Sequence, residues 1–301
     1  MVVAGNDVLS RRGRSFARRA RRRPVGAPGA FPTDRYPGPV TTAAPPAAPG
    51  ASDPRTPGPG LFISFEGGDG VGKTTQIRIL ADLLTAADVD HVLTREPGGT
   101  GLGLEIRRLL LHGGYVAPRA EALLYAADRA HHIATRVRPA LERGAVVLAD
   151  RYLDSSVAYQ GAARSLGPQE VRDLSLWATE GLLPDLTILL DGDPDLAEQR
   201  ATGRGAKDRL EQEGGTFRTS LRRQFLALAE AELGRFVVID ADRSVDQVAD
   251  DVIGAAVEAV RRHGVRHERG GAHQGALVDL EAFVEAAACR SAGEPLEGAG
   301  S

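Results

Sequence analysis

This 301-residue sequence predicts a doubly wound α/β fold, a five-stranded parallel sheet with helices on both faces, and three observations support that prediction. Five short apolar runs recur between stretches of helical periodicity, and runs with little polar alternation suit strands covered on both faces. The first run ends in a glycine-rich turn that opens a helix. Strand and helix then alternate to residue 262, an order that right-handed crossovers assemble into one open sheet.

Ahead of that pattern, residues 1–60 hold eleven of the eighteen prolines and an arginine run at 11–23. Ten Arg against three Asp give this segment +7, leaving −10 on the other 241 residues for the net −3. Without periodicity it cannot bury enough apolar area to offset the entropy of ordering, so a disordered Arg/Pro/Gly/Ala-rich extension is expected. A tether to nucleic acid or another acidic surface, a targeting segment, or a translation start later than Met1 (at Val2, Val25, Val40 or Leu61) would each account for it.

The first strand, about 61–66, runs into Gly67-Gly68-Asp69-Gly70-Val71-Gly72-Lys73-Thr74-Thr75. The spacing from Gly67 to Gly72-Lys73-Thr74 is that of a phosphate-binding loop, in which residues without side chains let backbone N–H groups curl round a polyphosphate at a helix N-terminus. Lys73 would reach the β- and γ-phosphates and Thr74 would ligate Mg²⁺. Lysine occurs elsewhere only at Lys207, so this one is not filler. The helix that follows, about 74–87, carries Ile77, Leu80, Leu83 and Leu84 on one face.

A second strand at about 90–95 ends in Arg95-Glu96-Pro97-Gly98-Gly99-Thr100, and helices at about 102–112 and 118–143 come next. The third strand, 145–149, leads to Asp150-Arg151-Tyr152. Helices at about 153–161 and 168–180 precede a fourth strand at 186–190 that ends at Asp191. Pro194 opens a helix at about 194–202, and the charge-dense stretch at about 203–215 reads as a mobile lid. A helix at 216–232, a strand at 235–240 and a helix at 244–262 complete the series. The tail, 263–301, is expected to be poorly ordered, with one possible short amphipathic helix at 276–290.

Ligands of such sheets gather at the carboxyl ends of the strands. There Asp150 would lie beside Thr74 and help hold Mg²⁺, while Arg151 offers a fork suited to a phosphate. Arg204, Lys207 and Arg209 in the lid, with Arg200 just before it, would close on the charge of a transferring phosphoryl group. Tyr125 and Arg129, four apart on one helical face, would stack on a base and donate to it; a half-buried aromatic beside a salt bridge has the same spacing. The single Cys289 excludes an internal disulfide and a multi-cysteine metal site. No apolar run of about 18 residues exists and the first 25 residues lack a secretory core, so a cytoplasmic protein is expected.

Taken together, the loop at 67–75, Thr94-Arg95-Glu96-Pro97-Gly98-Gly99-Thr100, Tyr125-Ala126-Ala127-Asp128-Arg129, Asp150-Arg151-Tyr152 with Ser155-Ser156-Val157-Ala158-Tyr159-Gln160-Gly161, and Asp208-Arg209-Leu210-Glu211-Gln212-Glu213 resemble the bacterial thymidylate kinases. The motifs occur in that family's order and spacing over about 61–262. This resemblance implies a P-loop NTPase fold that transfers the γ-phosphoryl group of ATP to dTMP, giving dTDP and ADP with Mg²⁺. Gly67, Gly68, Asp69, Gly70, Val71, Gly72, Lys73, Thr74 and Thr75, with Arg200, would bind ATP; Thr74 and Asp150 would hold the metal. Asp69 would also accept the 3′-hydroxyl of dTMP, and Arg95 or Arg107 with Arg151 would hold its phosphate beside Glu96 and Pro97. Tyr125 would stack on thymine, Arg129 would donate to its O4, Ser156 and Gln160 would approach its edge, and Tyr159 would crowd the 2′ position. Lys73, Arg151, Arg204 and Arg209 would be catalytic. One family type carries a basic residue directly after the loop's acid; Gly70 stands here, so the chain resembles the type with lid arginines. The family's homodimers pair through their long helices, which would place parts of 102–112 and 118–143 in an interface. No membrane partner is expected, and only the basic N-terminal extension could bind nucleic acid. A deoxynucleoside kinase and a non-enzymatic nucleotide-sensing module are the competing readings.

Overall fold

A computed structural model describes residues 60–163, 166–201, 214–270 and 277–292. The expected N-terminal extension up to residue 59, the lid with Arg204, Lys207 and Arg209, and the chain beyond 292 lie outside the described residues. Strands β1 (Phe62–Glu66), β2 (His91–Arg95), β3 (Val146–Asp150), β4 (Leu186–Asp191) and β5 (Phe236–Asp240) form one parallel sheet in the order β2-β3-β1-β4-β5. Asp150 is in register with Phe65 on one side and Arg95 on the other, and Asp191 with Asp240. The charges expected after each strand therefore meet at one sheet edge.

Period-two alternation divides the core. Ile63, Phe65, Leu148, Ile188 and Leu190 face one layer, built by α1 (Lys73–Ala86) and α9 (Val245–Gly270). Phe62, Val147 and Ala149 face the other, with Ile133, Val137, Leu141, Leu153 and Val157. That second layer contains α3 (Pro118–His132), α4 (Arg138–Glu142) and α5 (Leu153–Ser156), with α2 (Gly101–His112) and α6 (Pro168–Ala178) packed on α3. After β4 come α7 (Pro194–Ala201) and α8 (Gly215–Ala231), the latter burying Leu221 and Phe225 beside Leu189.

Two predicted helices are interrupted. The 118–143 helix widens into a π-helical turn at Ile133–Val137 before α4. Pro139 is the cause: it has no N–H for the carbonyl four residues back, and its ring crowds that turn. The 153–161 helix is likewise α-helical only through α5 and π-helical from Val157 to Ala163. In the tail, α9 continues to Gly270, and the helix foreseen at 276–290 is α10 (Leu277–Ala292). It is docked rather than free: Phe283, Ala286 and Ala287 join the core against α1 and α9.

Candidate active site

The glycine loop takes the shape its sequence demands at two positions above all. Gly67 has φ +128° and Gly70 φ +84°, a region that side chains disfavour, and a Cβ would sit 2.4 Å from the Leu190 carbonyl at Gly67 and 2.1 Å from the Ala197 carbonyl of α7 at Gly70. The Lys73 ammonium folds back over the loop, donating to the carbonyls of Gly67 at 3.0 Å and Gly68 at 2.6 Å. Burial lowers its pKa to about 8, Arg151 adding to the effect while Asp150, Asp69 and Glu66 oppose it. The Thr74 hydroxyl donates to Asp150 Oδ2 at 3.1 Å. These two oxygen ligands on the open cleft suit Mg²⁺, which keeps several waters and takes few protein ligands. Among the described residues no group of three or more His, Cys, Asp or Glu could hold a metal by itself.

Two clefts open beside the loop. The larger, about 320 Å³, is lined by Gly67 to Thr74 with Arg95, Asp150 and Asp191 and by Phe217, Arg218 and Arg222 of α8. The smaller, about 120 Å³, is lined by Pro97, Leu111, Tyr125, Arg129, Tyr152, Ser155, Ser156 and Gln160. Asp69, Glu96, Arg107, Arg151 and Tyr159 belong to both walls. Of this shared group, Arg151 is the centre. Its guanidinium donates to Asp69 Oδ1 at 2.5 Å, the Gly67 carbonyl at 3.1 Å and Ser155 Oγ at 3.0 Å, and lies 5.2 Å from the Tyr159 ring centroid. The Tyr159 hydroxyl donates to the other Asp69 oxygen at 3.1 Å. Burial works to raise the Asp69 pKa, but Arg151 and Lys73 outweigh it and hold the carboxyl down at about 2.

The wall of the smaller cleft is polar and buried. Arg129 is 1% exposed; it donates to Glu96 Oε2 at 2.7 Å, Ser175 Oγ at 3.0 Å, Ser156 Oγ at 3.0 Å and the Tyr152 carbonyl at 3.3 Å. Four of its five N–H donors are so occupied. Glu96, foreseen beside the acceptor phosphate, lines both clefts, but its carboxylate is taken by Arg129 and, at 2.8 Å, by His132 Nδ1. Burial would raise its pKa, yet those two partners lower it on balance. Gln160 Nε2 donates to Glu121 Oε1 at 2.9 Å, which aims its amide. Arg107 donates to the Pro97 carbonyl at 3.0 Å, just after the cis Glu96–Pro97 bond.

Two foreseen ATP ligands stand apart. Arg200 is absent from the cleft walls; it donates to the Ala241 carbonyl at 3.3 Å and to Asp242 at 3.2 Å. Asp242, just after β5, captures this arginine, a pairing that its place in the sequence does not reveal. Thr75 is exposed and also lies off the walls. In the other direction, Glu66, Ser155, Arg218 and Arg222 were not foreseen. Arg222 grips Asp191 through two bonds of 2.6 and 2.8 Å, and Arg218 reaches Glu198 at 2.5 Å. The signal for Glu66 was a charge ending an apolar strand; for the arginines, their i, i+4 spacing just after the lid.

A family model described as thymidylate kinase matches residues 65–252. Among curated relatives, a thymidylate kinase of Leifsonia xyli subsp. xyli is 62% identical over 196 residues, 64% of this chain and 93% of the relative's length. One from Clavibacter sepedonicus is 59% identical over 195 residues, 64% of this chain and 92% of its own length. Another, from Bifidobacterium longum subsp. infantis, is 54% identical over 228 residues, 72% of this chain and 97% of its own.

Proposed function

The chain belongs to the thymidylate kinase family, and from that premise we propose how its residues share the transfer of the γ-phosphoryl group of ATP to dTMP, giving dTDP and ADP. One observation carries the assignment: the loop cleft and the base-side cleft share Asp69 and Arg151. Both substrates therefore meet at one ion pair.

On the ATP side, loop amides and Lys73 hold the phosphates. Lys73 leaves the Gly67 and Gly68 carbonyls for the β- and γ-oxygens, whose charge restores its full protonation. Thr74 and Asp150 would hold Mg²⁺, which would neutralise charge on the ATP phosphates. On the acceptor side, Arg151 with Arg95 or Arg107 holds the dTMP phosphate, overcoming the repulsion between two anions. Asp69, ionised throughout the physiological range, can only accept hydrogen bonds, which suits a sugar 3′-hydroxyl. Tyr125 stacks on thymine; the remaining Arg129 donor faces O4, and Ser156 and Gln160 approach the ring edge. Tyr159, fixed to Asp69, crowds the 2′ position. Transfer needs no strong base, since positioning and charge stabilisation suffice, and Arg204 and Arg209 of the lid complete the cationic shell. Exposed Leu102, Leu109, Leu123 and Trp177 on α2, α3 and α6 support a homodimer built through these helices.

ADP release with dTMP, dUMP, dCMP and thymidine as acceptors tests the assignment. dTMP is expected to exceed dCMP by at least about 100-fold, because Arg129 would face an amine where thymine has a carbonyl. Equal use of dCMP would overturn the base-side roles. Turnover of thymidine would overturn the phosphate roles of Arg151 and its neighbours.

A further inference from the structure

We propose that Glu66 is a positioning residue for the transfer, holding Arg151 in place through the Tyr152 amide and the Ser155 hydroxyl; this rests on the reading of Arg151 as the acceptor-phosphate ligand. Glu66 ends the central strand β1 and is wholly buried. Its two carboxylate oxygens have separate tasks: Oε1 accepts the Tyr152 N–H at 2.8 Å and Oε2 accepts the Ser155 hydroxyl at 2.6 Å. Ser155 Oγ in turn accepts from the Arg151 guanidinium at 3.0 Å. One carboxylate thus fixes both the chain just after Arg151 and the partner of its side chain.

Arg151 needs such a hold. Its φ is +71°, a left-handed conformation that a side chain with a Cβ adopts only when its surroundings impose it. Its own N–H is tied to the Phe65 carbonyl at 2.9 Å, one residue before Glu66, so the end of β1 grips the chain from both sides of the strained residue. Burying a carboxylate this deeply is unfavourable unless its hydrogen bonds are used, and both used here point at the Arg151 turn. Glutamine has nearly the same shape but offers one acceptor to the two donors. Its amide group would donate to Ser155 Oγ and turn the hydroxyl proton into competition with Arg151.

The test is steady-state kinetics of Glu66→Gln, Arg151→Ala and the double variant, with melting temperatures to confirm folding. Glu66→Gln is expected to lower kcat/KM for dTMP by about 10- to 100-fold, the size of a lost charge-assisted hydrogen bond, while KM for ATP stays within about twofold. Placed in the Arg151→Ala background it is expected to cost nothing further, since it acts only through that arginine. Equal, additive losses in both backgrounds, or a rise in both KM values, would overturn the inference and leave Glu66 a structural residue. Wild-type rates from Glu66→Gln beside a strongly slowed Arg151→Ala would also overturn it while leaving the role of Arg151 intact. An Arg151→Ala variant that keeps the wild-type kcat/KM for dTMP would instead remove the reading on which it rests. Should Glu66→Gln fail to fold, Ser155→Ala is measured in the same two backgrounds, with a loss of about tenfold expected only where Arg151 is present.

Discussion

Glu66 and Asp69 lie three residues apart and have opposite protonation behaviour. Asp69 faces Arg151 and Lys73 across the cleft and stays ionised to low pH; Glu66, buried and near Asp154, is raised from the ordinary 4.5 to about 7, against the pull of Ser155, Arg151 and the Tyr152 amide. A raised carboxyl means that the folded chain keeps a proton the unfolded chain has released between those two values. Stability contributed by this site therefore falls as pH rises from about 4.5 through about 7, and the full penalty is present above that window. Glu66→Gln removes the titration. Relative to the wild type, the variant should gain on the order of 2 kcal/mol between pH 5 and pH 8, read from urea midpoints at each pH. A difference that stays constant with pH would show that Glu66 does not carry this proton. Loss of turnover with a gain of stability is the expected signature of a residue kept for function.

Among the elements, α7 packs directly against the phosphate loop. The Ala197 carbonyl of α7 lies where a Cβ on Gly70 would be, so loop and helix fit only because position 70 has no side chain. That contact gives a physical reason why no basic residue stands directly after the loop's acid in this chain. Gly70→Ala combines a φ of +84° with a Cβ only 2.1 Å from the Ala197 carbonyl oxygen and must shift α7 or the loop. KM for ATP is expected to rise about tenfold or more and KM for dTMP by less, because Asp69 is the one loop residue in the acceptor wall. Unchanged ATP kinetics would mean that the lid base tolerates the shift. Element by element, strands and helix starts were legible because apolar runs, glycine turns and Pro at a first turn act locally. The π-helical turns were not, since a helical stripe through Leu123, Leu124 and Ile133 looks the same whether or not one turn widens.

For the molecule as a whole, α2, α3 and α6 each carry large apolar side chains exposed to solvent, with Trp177 80% and Leu123 57% exposed. Sedimentation velocity at micromolar concentration should find a dimer, and Trp177→Glu should shift it to the monomer, since a charge in an apolar contact leaves an ion desolvated and unpaired. A monomeric wild type would sink the homodimer reading. Beyond the stretch matched by the family model, α10 covers α1 and α9 with Phe283. A tail rich in Gly, His and Glu gave little hint of this, because docking depends on a groove that exists only after α1 and α9 have packed.

By itself the sequence determined the parallel sheet, the phosphate loop and the set of motifs, and through the family those motifs resemble, the reaction. Sheet, loop and motifs are encoded by neighbours a few residues apart, whose spacing dictates a turn, a strand or a helix face. Only the tertiary structure decided which groups meet. It brought Glu66 to Tyr152 and Ser155, 86 and 89 residues away, and gave the Glu96 carboxylate to Arg129 and His132. It also paired Arg200 with Asp242. Hydrogen bonds and ion pairs of this kind depend on distance and direction in space, which strand order and helix packing set and which no local pattern records.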